Sequence, residues 1–132
     1  CIRDRISGLP NGFQCNVMVY SEVHDTAVAF DAGNAVVAAW QPSTDGPTLR
    51  WRSELGHAAH LLLWEETGEL VLGDHDPERG DDVVIVDIVT GEERARAASG
   101  SPMQTALFPC PGWGRDFYHT TMAGICRAAV TS

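Results

Sequence analysis

The chain has 132 residues, the size of one ordinary domain, and 44% of them are apolar, enough to build a core. Its formal net charge of -9 comes from 18 acidic residues against 9 arginines, with no lysine; such a surface repels phosphate backbones and anionic lipid, which argues against nucleic acid as a partner. The longest apolar run near the start, Val17 to Tyr20, is far too short for membrane insertion or a signal-peptide core.

The first segment in chain order is "CIRDR", at 1–5. Its back-translation, TGT-ATA-AGA-GAC-AG, resembles a transposon-end adapter used in sequencing libraries. An ATA-AGA start is also foreign to a lysine-free chain rich in Ala, Gly, Asp and Arg, which fits a GC-rich bacterial genome. Residues 1–4 are therefore expected to be adapter-encoded, with Cys1 carrying no functional weight. Residues 5–12 read as the outer strand of a preceding structural unit.

Short β-prone runs then alternate with turn signals, without a sustained helical period. The first set is Asn16 to Ser21, Thr26 to Asp31, Ala35 to Gln41 and Thr48 to Arg52. The second is His60 to Glu65, Glu69 to Asp74, Val83 to Val89 and Glu92 to Ala97, with a polar loop "HDPERGD" inside it. The third is Gln104 to Phe108, Arg115 to Thr120 and Gly124 to Val130, without a fourth strand. Written in rows of 44 residues, Gly12, Gly56 and Gly100 fall in one column. Tyr20, Trp64 and Phe108 fall in a second, and the polar residues Asn16, His60 and Gln104 in a third. Glycine permits a turn backbone, and an aromatic in a β-prone run is expected to fill a core slot.

A repeat of four strands in about 44 residues predicts an all-β fold: a β-propeller fragment of about three four-stranded antiparallel blades, the last lacking its outer strand. The units are 13–56, 57–100 and the incomplete 101–132. Within them "VVIVDIVTGEERARAASGSP" (83–102) resembles the YVTN-type repeat families, and more loosely the quinoprotein-type (PQQ-like) propeller repeats, through Asp87, Thr90-Gly91 and Gly100-Ser101-Pro102. The resemblance implies a ring of about seven blades, so the partners expected first are N-terminal blades of the same protein. The quinoprotein tryptophan-docking pattern A-x-D-x-x-T-G-x-x-x-W is matched at Asp87, Thr90 and Gly91, but Arg94-Ala95-Arg96 stands where its tryptophan belongs. Vicinal cysteines are also missing, which argues against a pyrroloquinoline quinone dehydrogenase; no cofactor is expected, and a metal stays open.

On a propeller scheme the loops joining successive blades and the loops joining second to third strands share one end. That end would gather His57, His60, Asp74, His75, Asp76 and His119, with Asn16, His60 and Gln104 ringing the mouth of a central channel. His24 and Asp25 fall in a turn at the opposite end. Histidine and carboxylate suit a transition metal or general acid–base work. No i,i+2 or i,i+4 ligand pair fixes a geometry, so a merely solvated channel mouth is the competing reading. The segment "DHDPERGDD" (74–82) lacks EF-hand spacing and reads as a solvated acidic loop, with Asp74 and Asp76 as its candidate cation ligands. The cysteines at 1, 15, 110 and 126 have neither zinc-site nor disulfide-framework spacing and read as incidental thiols. No nucleophile elbow, phosphate loop or H-E-x-x-H occurs.

The expected function is a non-catalytic binding or scaffold module that offers a protein or small-molecule ligand its upper face. The alternative is part of a propeller enzyme of the lactonase or dehydrogenase type, built on His60, His75 and His119.

Overall fold

Three antiparallel meanders carry the chain. The computed structural model describes residues 12–55, 61–100, 110–112, 114–121 and 124–131, and every regular element among them is a strand. Sheet 1 is formed by β1 (Val17–Ser21), β2 (Thr26–Asp31), β3 (Val36–Gln41) and β4 (Thr48–Glu54). Sheet 2 is formed by β5 (Leu62–Trp64), β6 (Glu69–Asp76), β7 (Gly80–Asp87) and β8 (Glu93–Ala98). Sheet 3 contains β9 (Cys110–Pro111), β10 (Asp116–Thr121) and β11 (Gly124–Ala129). In each sheet the strands lie side by side in chain order.

The strand order among the described residues follows the sequence reading; most boundaries shift by one or two residues, and the largest difference lies in the second sheet. The segment 75–81 is mostly strand: β6 and β7 run on through the ladder Asp74↔Asp82, His75↔Asp81 and Asp76↔Gly80, and only 77–79 turn. Composition suggested a loop because the run is acidic, but cross-strand pairing neutralises those charges, as described below. The strand expected at Gln104 to Phe108 lies outside the described residues, as do Gly56, His57 and His60.

Period-2 alternation sorts the side chains into layers. Val28 and Phe30 of β2 and Val37 and Ala39 of β3 meet Leu70 and Leu72 of β6 and Val84 and Val86 of β7, closing a core between sheets 1 and 2. The intervening residues Val71, Val83 and Ile85 face the other way and pack with Leu62 and with Phe117 of β10, forming a second core between sheets 2 and 3. Sheet 2 is therefore sandwiched, which is why its central strands are continuous apolar runs. On the far face of sheet 1, Trp40 lies buried among Phe13, Ala29, Val36 and Ala38. Tyr20 does not fill a core slot. It points away from sheet 2, is 48% exposed, and donates its hydroxyl to Asp25.

The joints between sheets are specific. At one end, the β1–β2 turn rests on the β5–β6 turn. Ser21 Oγ and the Val23 N–H both donate to Glu65 Oε1 at 2.9 Å, and the His24 ring sits over Gly68, where a Cβ would lie 2.8 Å from Cε1. Trp51 of β4 reaches across to the β7–β8 turn, donating its Nε1–H to the Ile88 carbonyl at 2.9 Å. Its ring lies so close to Gly91 that a Cβ there would stand 2.5 Å from it. Gly91 is also held at φ +73°, and Asp87 ties the turn by accepting the N–H groups of Val89 and Thr90, each at 2.8 Å. The Asp–Thr–Gly signature thus builds a seat for a neighbour's indole. Between sheets 2 and 3 the joint is ionic: buried Glu69 accepts from Arg115 Nε at 3.0 Å and from its terminal nitrogen at 2.5 Å.

Candidate functional site

The end of sheet 2 opposite these turn joints carries a histidine–carboxylate pair and an arginine hub. The β6–β7 hairpin brings His75 Nδ1 to 2.6 Å from Asp81 Oδ1, with the His75 side chain 19% exposed and the carboxylate buried. A ring nitrogen held this close to a carboxylate fixes the orientation of the imidazole. This is an oriented histidine, the arrangement that general base work or ligand recognition requires.

Beside it Arg96 of β8 acts as a hub. One terminal nitrogen donates to Asp74 at 2.8 Å and to Asp82 at 2.9 Å, while Nε and the other terminal nitrogen hold both oxygens of Glu93. These partners, Glu93 first, raise the guanidinium further above its usual range, so it is a fixed charge. Asp76 closes the hairpin: Oδ1 accepts the N–H groups of Glu78 and Arg79, and Oδ2 accepts Arg79 Nε. Those backbone donors, first that of Glu78, hold its carboxyl below the usual carboxylate range.

The expected site residues separate. His75, Asp74 and Asp76 come together on one hairpin. Asn16 is turned to a local task, accepting the Ala32 N–H at 2.6 Å and so bracing the β2–β3 turn. His119 lies on the face of β10 that packs on sheet 2; it is 5% exposed, beside Phe117, and its Nδ1 is buried without a hydrogen-bond partner. His57, His60 and Gln104 lie outside the described residues. No group of three metal-ligating side chains forms among the described residues. Arg96 and Asp81 were missed by sequence reasoning. The signal for Asp81 was its position six residues after His75, which becomes cross-strand once the two strands run on to a tight turn.

Compared with protein-family models and with curated proteins, the sequence matches none.

Proposed function

We propose that the chain is a run of consecutive β-propeller blades of the YVTN or quinoprotein-like repeat type, working as a non-catalytic binding or scaffold module. Its blades are 13–56, 57–100 and 101–132. The observation that supports this reading is the face-to-face stacking of successive meander sheets, the first joined to the second by a tryptophan docked on its Asp–Thr–Gly turn, Trp51 on Gly91. The end bearing His75, Asp81 and Arg96 is the binding face. Its acidic side chains are held in place by internal pairs, so it offers a fixed pattern of donors and acceptors.

A crystal structure tests the architecture: β1, β5 and β9 should line one axis, and sheets stacked without a common axis would overturn it. A second measurement tests the class. Lactone hydrolysis and dye-linked alcohol oxidation should be absent from both the native chain and His75→Ala; turnover in the native chain that disappears in His75→Ala would replace the binding module with an enzyme.

A further inference from the structure

The two inter-sheet joints are built on the same backbone ladders but filled differently. In sheet 1, Trp51 pairs with Ala39 beside a bulge; in sheet 2, Ala95 pairs with Ile85 beside a bulge at the same point. Ala95 therefore stands where the repeat places Trp51, 44 residues earlier. The acceptor of the indole also has its counterpart. The Ile88 N–H bonds the Gly68 carbonyl as β7 leaves sheet 2, and the Val130 N–H bonds the Arg115 carbonyl in the same way after β11, so the Val130 carbonyl corresponds to that of Ile88.

The slot left by the missing side chain is open. A cleft of about 190 Å³ lies there, lined by Ile85, Ala95, Ala97, Phe117, His119 and Val130 among others. A dry cavity of roughly 150 Å³ is enough for a benzene-sized ring. The wall is not purely apolar: His119 Nδ1 lies buried in it without a hydrogen-bond partner among the described residues.

We infer that the cleft between sheets 2 and 3 is a binding site for a small planar aromatic heterocycle of the indole class, its ring against Phe117 and Ala95 and its ring N–H donated to the Val130 carbonyl. The ligand takes the place that the Trp51 side chain takes between sheets 1 and 2. The cleft borders the His75 end through Arg96, but none of the contacts proposed for the ring involves His75 or Asp81.

The test is a titration of the chain with indole, followed by amide and methyl chemical shifts. Saturable shifts at Ala95, Ala97, Phe117, His119 and Val130 are expected. N-methylindole, which lacks the donor, should bind about tenfold more weakly, the value of one hydrogen bond. Ala95→Trp should weaken indole binding by more than tenfold, because the slot is then filled from within the chain. Should that variant fail to fold, Ala97→Leu narrows the same cleft and is read in the same way. Absence of saturable shifts, shifts elsewhere, or unchanged affinity in the filled variant would overturn the inference. Shifts at these residues on concentrating the chain alone, with no response to indole, would also overturn it, assigning the slot to an aromatic side chain of a second copy.

Discussion

Gly91 shows how much a single residue can hold. Its positive φ is costly for any side chain, and its missing Cβ is the surface on which Trp51 lies. Gly91→Ala combines backbone strain with overpacking and should cost about 3 kcal/mol, read from urea unfolding. Asp31 makes a different kind of contribution. Burial opposes its ionisation, but the Gln14 N–H and the Asn34 amide outweigh this and hold its carboxyl below the usual range. A folded-state pKa below the unfolded one adds stability above the unfolded value of about 3.9, and that stability is lost as pH falls from there through the folded value. Asp31→Asn should therefore cost about 2 kcal/mol at neutral pH, with the difference from the native chain shrinking as the pH is lowered through this window. Thermal unfolding at a series of pH values checks it; a constant difference would mean the carboxylate charge is not what the turn uses.

At the level of elements, the joints are where sequence and structure diverge most instructively. The strands were legible because alternation and turn residues are local signals: β2 was expected at Thr26 to Asp31 and occupies those residues. The acidic hairpin was not, because the favourable placing of Asp74, Asp81 and Asp82 depends on Arg96 and His75, partners brought near only by pairing. The candidate site was legible in part for the same reason: His75 was visible as a residue type, its carboxylate partner only as a geometry. Trp51 also escaped notice, although its column places it opposite Ala95. Trp51→Ala should open between sheets 1 and 2 a space like the one between sheets 2 and 3, costing about 3 kcal/mol. Trp51→Phe should cost about 1, mainly the bond to Ile88. Chemical denaturation of the pair separates packing from hydrogen bonding. Glu69→Ala removes the carboxylate on which Arg115 rests, while Arg94 keeps Asp87, and should cost about 2 kcal/mol, whereas Glu69→Gln, which keeps one acceptor, should cost less.

For the whole molecule, burial sets an order of stability. Sheet 2 is covered on both faces, while β11 of sheet 3 is largely exposed, with Ile125 at 76%. Amide hydrogen exchange should be slowest in β6 and β7 and fastest in β11 among the strands, since opening free energy follows buried contacts. Equal protection across the sheets would show that they open only together.

The joint between sheets 1 and 2 also has a direction. Sheet 1 gives a tryptophan and sheet 2 receives it on a glycine turn; Ser21 gives a hydroxyl proton and Glu65 accepts it. At this joint the giving and receiving surfaces differ, so the contact is heterologous, and two copies facing each other across a two-fold axis could not reproduce it. Units joined this way add in one sense only, and they form a closed ring only when the rotation per joint divides the circle evenly. The angle at which the indole meets the glycine is therefore also a setting of the rotation between the first sheet and the second.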